Sequence, residues 1–402
     1  MYFDIEDELL LASVRIKPTE TDRERISELL SEITDWNYVF MTAVERGMAP
    51  LVLKNFQGFE IPDKVKNALQ GAYYRTLSRS MVLYQAFGEV IDTLHSRGIQ
   101  VIVLKGAYLC ECLYEDIGLR QFSDLDLLIR EEDGEKAKEA LSQIGYRRGN
   151  SDSLSQFIES KSDFVHYPPM YKDNMSVELH IRLHQQKESF CIDRDVVWQN
   201  AVEQQIAGRK VLVQDIYDLL IHLVIHLHKH FQKGHVQFTS FNDIVNILVL
   251  WKFDWEQLDE RLIQYNAVDE FYSYIMLISE YYNIVLPDTI KYSKKHLLSE
   301  LLKNRFEDFF HGKIVEEKQE NLVPVHLYNI KRLKSWNDYL HYFRDLLFPP
   351  KEFMVKKYNL ISSKGDKNAP LGFRGNFWWL WYLYRWGVGV KGLWKVMKPE
   401  RK

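Results

Sequence analysis

Two aspartates one residue apart, Asp124 and Asp126 in the run SDLDLLI, stand out as residues whose spacing can do chemistry. On a strand, positions i and i+2 share a face, so both carboxylates point one way and Leu125 the other. Neighbouring carboxylates repel, and a divalent cation coordinating their oxygens removes that penalty. A strand edge facing water would carry the same pair without a metal. A third acid comes from VELHIRLH, Val177 to His184, which alternates strictly. Glu178, His180, Arg182 and His184 fall on one face, with Val177, Leu179, Ile181 and Leu183 on the other. If this strand lies beside SDLDLLI, Glu178 joins the pair, and three carboxylates can hold one or two Mg²⁺ ions whose shells water and phosphate oxygens complete. His180 would then orient a carboxylate or bond to substrate, with Arg182 on the same face.

Upstream, VIVLKG reads as a buried strand ending in a glycine turn, Lys105-Gly106, where backbone can approach a ligand closely. Ala107 to Leu113 reads as a short helix under that turn, and amides at its start would face phosphate. Lys105 either adds positive charge there or forms an outward salt bridge. Arg120, four residues before Asp124, either pairs with a carboxylate to hold the loop or contacts phosphate when substrate enters.

The segments VIVLKGAYLCECLYEDIGLRQFSDLDLLI and VELHIRLH resemble the nucleotidyltransferase superfamily with a polymerase-beta-like core, specifically a bacterial group of uncharacterised nucleotidyltransferases. The resemblance continues through a histidine-containing helix and a later FPP segment. It implies an α+β fold, a mixed sheet with flanking helices and a large helical C-terminal domain. It also implies that Gly106 forms the triphosphate turn, with Lys105, Ala107 and Arg120 around the nucleotide, and that Asp124, Asp126 and Glu178 are catalytic Mg²⁺ ligands. The donor would be ATP or another nucleoside triphosphate. Ala107 stands where such proteins usually carry a small hydroxyl residue, so one phosphate hydrogen bond is missing.

Several function classes are excluded by composition. With 52 basic and 56 acidic side chains, the formal charge of −4 provides no general attraction for nucleic acid, so no broad nucleic-acid surface is expected. Cys110, Cys112 and Cys191 cannot all pair and lack zinc-site spacing, which fits a reducing cytoplasmic setting. The start, MYFDIEDELL, is not a secretory signal, and no run of about 18 apolar residues suggests a membrane span.

The elements that must position these residues follow from periodicity. Residues 1–95 read as a helical cap, 96–205 as the catalytic sheet domain, and 206–370 as a helical domain closing the acceptor pocket. A strand is expected at Phe164 to Tyr167, ended by Pro168-Pro169. In DIYDLLIHLVIHLHK, His222 and His226 lie one turn apart and His230 continues the stripe. Cleft or core histidines bonded to polar partners account for them better than zinc ligands, since no HExxH pattern accompanies them. Residues 371–402 combine aromatic and basic side chains, suited to a peripheral membrane surface or to docking on the protein itself. Three functions remain open on sequence: nucleotidyl transfer to a small-molecule, lipid-linked or protein acceptor, a non-catalytic nucleotide-binding or interaction module, and a membrane-surface enzyme of glycan or natural-product assembly.

Overall fold

In the sheet, strand order is β3-β4-β5-β2-β1-β7-β6, with the two acid-bearing strands adjacent near its centre. The strands are β1 (Ile102–Val103), β2 (Asp124–Leu128), β3 (Arg147–Arg148), β4 (Met170–Lys172), β5 (Met175–His180), β6 (Val202–Ile206) and β7 (Arg209–Val213). β2 runs parallel to β5 and antiparallel to β1, which in turn runs parallel to β7. This computed structural model describes residues 3–148, 165–184, 190–232, 236–287, 290, 297–312 and 344. The sequence-based expectations for 371–402, and for the FPP segment, lie outside them.

Five helices precede the sheet: α1 (Ile5–Ala12), α2 (Glu20–Leu30), α3 (Trp36–Glu45), α4 (Ala49–Asn55) and α5 (Asp63–Ser96). Capping boxes start the first two, Asp4 with Asp7 and Thr19 with Asp22, satisfying amides that the first turn leaves without partners. α5 begins just after Pro62 and, at 34 residues, extends about 50 Å. Its buried face, which includes Leu69, Ala72, Thr76, Leu83, Phe87 and Leu94, repeats at helical spacing. Gly98, at φ 67°, turns the chain from α5 towards β1.

The short helix α6 (Gly106–Cys112) follows β1, and α7 (Gly134–Gln143) follows β2. α8 (Arg194–Asn200) precedes the β6–β7 hairpin. Beyond it come α9 (Ile216–Gln232), α10 (Phe238–Leu250), α11 (Trp255–Gln264), α12 (Val268–Tyr281) and α13 (Leu297–Phe310). Phe231, Phe241, Tyr274 and Phe306 form the aromatic core of this helical region. Among the described residues no helix is long and apolar enough to cross a membrane.

Two sets of contacts cross the expected domain divisions. The hairpin of β6 and β7 forms the far edge of the sheet, and β7 pairs with β1. The N-terminal helices also bond to the helices after the sheet. Asn246 of α10 accepts a hydrogen bond from the Ile16 amide at 2.7 Å and donates to the Val14 carbonyl at 2.9 Å. Arg46 likewise donates to the Phe310 carbonyl at 3.0 Å. Buried groups cannot exchange such bonds for water, which ties cap and helical region into one body.

The strand expected at 164–167 is reduced to one bridge between His166 and His180, and Phe164 lies outside the described residues. The ladder starts instead at Met170, after Pro168-Pro169, because prolines supply no amide donor. β5 also stops short of the expected end at His184. β2 ends at Leu128, which pairs with His180, so no neighbouring strand carries the pleat further.

Candidate active site

The β2–β5 pairing sets Asp126 directly opposite Glu178, and Asp124 opposite Ser176. Alternation keeps Leu125, Leu127, Val177 and Leu179 in the core while the acids reach a cleft of about 1050 Å³. Its walls come from α5 on one side, through Arg75 and Arg79, and from α9 on the other, through His222, His226 and His230. Space of this size accommodates a nucleotide and part of a second substrate.

Asp126 sits between two basic groups. His180 Nε2 lies 2.8 Å from its Oδ1, and the Lys105 ammonium lies 3.2 Å from its Oδ2. Burial alone would raise the Asp126 pKa, but Lys105 and the hydrogen bond with His180 outweigh it and hold the carboxyl well below its ordinary value. Asp124 and Glu178 move the other way, pushed up by burial and by the charge on Asp126. Burial also lowers the pKa of His180, and does so strongly for His222 and His226, which favours their neutral forms.

Asp126, Glu178 and His180 each offer a ligand atom, and these atoms all lie within 4.8 Å of one another. This trio differs from the three carboxylates expected from sequence. Asp124 lines the same cleft but stands two positions along β2, about 7 Å away by strand rise, and faces Ser176 instead of Glu178. Two carboxylate oxygens and a neutral imidazole suit a divalent ion such as Mg²⁺ or Mn²⁺, with the nitrogen donor favouring the softer of the two. A cation fits here for a second reason: it would relieve the repulsion that raises Glu178 and Asp124.

The remaining sequence candidates divide. His222 and His226 line the cleft, and His222 Nδ1 is held by Gln214 Oε1 at 2.9 Å. Arg120 borders the cleft, yet its guanidinium is committed to Asp243, with Nε to Oδ1 at 2.8 Å and Nη2 to Oδ2 at 2.7 Å. Of its two expected uses, holding the loop is therefore the observed one. Arg182 leaves the site, because β5 has ended before it, and reaches Glu131 at 3.2 Å. His184, similarly beyond the strand, contacts the Ile192 carbonyl at 3.2 Å.

The turn before α6 also departs from expectation. The positive φ belongs to Lys105, at 44°, and not to Gly106. A side chain at Gly106 would place its Cβ 3.0 Å from Phe122 Cβ, so glycine lets that ring pack close while Gly106 still borders the cleft. Ala107, the remaining nucleotide-side candidate, is buried, and its carbonyl accepts the Tyr84 hydroxyl at 2.6 Å.

Sequence reasoning did not place His166 at the site. Its ring lies 5.1 Å from that of His180, and it lines the cleft. No local pattern signals this, because the chain after 148 must return to β5 before the two histidines meet.

The fold is thus α+β, a central mixed sheet flanked by helices that presents acids from adjacent parallel strands into a cleft and forms a candidate metal centre there. The chain belongs to the family described as "Uncharacterised nucleotidyltransferase", whose model matches residues 32–283. No curated protein matches the sequence. Among solved structures, the antibiotic-resistance factor ANT(2'')-Ia in solution is 10% identical, with a TM-score of 0.34 over 51% of this chain and 100% of that one. The crystal structure of ANT(2")-Ia in complex with adenylyl-2"-tobramycin is also 10% identical, with a TM-score of 0.33 over 46% of this chain and 98% of that one. An antigenic nucleotidyltransferase-like protein from Paracoccidioides brasiliensis is 17% identical, with a TM-score of 0.22 over 51% and 92%. At such TM-scores these likenesses carry no residue correspondence.

Proposed function

We propose that the protein transfers a nucleoside monophosphate from a nucleoside triphosphate, with ATP the first donor to test, to a hydroxyl- or phosphate-bearing acceptor. The observation that supports this reading most is Asp126 set in register against Glu178 at the head of the cleft, with the Lys105 ammonium beside them. In the reaction, an acceptor oxygen bonds to the α-phosphorus as the bond to the bridging oxygen breaks, and pyrophosphate leaves. The acceptor proton passes to a base. A divalent ion held by Asp126, Glu178 and His180 would supply charge neutralisation to the phosphate oxygens.

The chain's own groups have separable tasks. Lys105 brings positive charge to the strand-to-helix elbow, where the leaving phosphates would lie. His180 fixes the orientation of the Asp126 carboxylate through their 2.8 Å hydrogen bond. Glu178 and Asp124, with pKa values raised by burial, accept a proton more readily than Asp126, whose carboxyl is depressed. The acceptor is a small molecule, a lipid-linked compound or a protein.

Purified protein with ATP and Mg²⁺ or Mn²⁺, screened against acceptors for pyrophosphate release, tests the proposal. Asp126→Asn should lower turnover at least a hundredfold while leaving the fold intact, and unchanged turnover would reject the site. A non-catalytic nucleotide-binding module is the second reading, favoured by the saturation of Asp126 by Lys105 and His180 and by the Phe122 ring packed on Gly106. Calorimetric binding of ATP without product across the same screen would select it.

A further inference from the structure

We propose that His226 and His230 on α9 form a second metal site, a two-imidazole chelate for a borderline transition-metal ion of the zinc type, separate from the carboxylate cluster. Their Nε2 atoms share a hydrogen bond of 3.1 Å, one ring donating and the other accepting, with ring centroids 4.3 Å apart, and a cation bound between them would take the place of the shared proton. Metal–nitrogen bonds of 2.0–2.1 Å place two cis ligands about 2.9–3.4 Å apart between octahedral and tetrahedral angles, so the pair already has the bite of a chelate. One helical turn of separation produces this convergence.

The next imidazole on the stripe is engaged elsewhere. His222, one turn earlier on the same stripe, is not a ligand: its ring stands edge-on at 6.2 Å from that of His226 and its Nδ1 is held by Gln214. Both chelating rings line the cleft, so coordination would be completed by water or by an oxygen of a bound substrate. Imidazole pairs of this kind select zinc, cobalt or nickel over Mg²⁺. The inference does not depend on nucleotidyl transfer.

The test uses the untagged full-length chain, stripped of metal and titrated with Zn²⁺ by calorimetry, with Co²⁺ absorption as an independent readout. One equivalent should bind in the presence of excess Mg²⁺. His230→Gln and His226→Gln should each weaken it at least tenfold, whereas Asp126→Asn and Glu178→Gln should leave it within threefold. Circular dichroism of both variants guards against loss of fold. Zinc affinity unchanged in a folded His230→Gln protein, or zinc lost in Asp126→Asn, would overturn the assignment, the latter because the ion would then occupy the carboxylate cluster. Failure of pyrophosphate release would leave this result untouched.

Discussion

Arg120 and Asp243 meet through two parallel hydrogen bonds of 2.7 and 2.8 Å, joining the loop before β2 to helix α10 with the Asp243 side chain fully buried. The Tyr114 hydroxyl donates to the same carboxylate at 2.9 Å. A bidentate arginine–carboxylate pair out of water is neutral as a unit, and removing one half leaves a charge that cannot be solvated. Asp243→Ala should therefore destabilise the protein by about 3–5 kcal/mol in denaturant unfolding. Replacing both residues by apolar ones of similar volume should recover most of that loss. If Asp243→Ala unfolds at the wild-type midpoint, the pair does not hold the acid-bearing strand in place.

The register of Asp126 against Glu178 predicts metal-linked stability that needs no substrate. A ligand binding only the folded state stabilises by RT ln(1 + [L]/Kd), about 2.7 kcal/mol at a hundred times Kd. Saturating Mn²⁺ should raise the unfolding temperature of the wild type by several degrees and leave Asp126→Asn and Glu178→Gln unmoved. Asp124→Asn should retain most of the shift, since Asp124 stands outside the cluster of three ligand atoms. An equal shift in all four proteins would place the ion elsewhere.

Much of this geometry was legible in the sequence because it depends on period-two alternation. Asp124, Asp126, Glu178 and His180 had to share the polar side of their strands once Leu125 and Leu179 were buried. The strand-to-helix elbow was legible from the glycine that ends VIVLKG, and the α9 histidine stripe from its one-turn helical spacing. What was hidden depends on partners distant in sequence. Arg120 and Asp243 are 123 residues apart, and nothing near either reveals that the guanidinium is spent on an internal carboxylate. Arg182 sits in an alternating run, yet its fate follows from where β2 ends. That His180, with Asp126 and Glu178, brings its ligand atom within 4.8 Å of the others depends on the parallel register, which alternation alone does not fix.

Glu6 supplies a pH dependence whose sign can be worked out. Its buried carboxylate accepts from the Asp35 amide at 3.0 Å, the Thr34 amide at 3.0 Å and the Thr34 hydroxyl at 3.1 Å, anchoring the end of the α2 loop on α1. The Asp35 amide is the largest influence and, with the Thr34 donors, lowers the Glu6 pKa from its ordinary 4.5 in spite of desolvation. A depressed carboxyl binds its proton more weakly folded than unfolded. Its contribution is therefore complete above about pH 5 and is lost as pH falls through the folded value. Glu6→Gln should cost about 1 kcal/mol at pH 7, and the difference from wild type should shrink steadily as pH falls below about 5. A difference independent of pH would mean that the charge on Glu6 is not what these donors recognise. Comparing the two proteins cancels the opposite contribution of Asp7, whose pKa burial raises.

Lys105 combines two roles that substitutions can separate. Its backbone, at φ 44° and ψ −106°, occupies a region that side chains disfavour, and its ammonium lies 3.2 Å from Asp126. Such a conformation costs about 1–3 kcal/mol for a residue bearing a Cβ, and glycine adopts it freely. Lys105→Ala keeps the strain and loses the charge, whereas Lys105→Gly loses both. The glycine variant should consequently be the more stable of the two by about 1 kcal/mol in urea unfolding. Both should bind ATP equally weakly, at least tenfold below wild type, because the ammonium that would meet the phosphates is absent from each. Wild-type ATP affinity in either variant would show that the elbow shapes the cleft without contributing its charge, and the nucleotide would then have to be held from the α5 wall, where Arg75 and Arg79 face the same space.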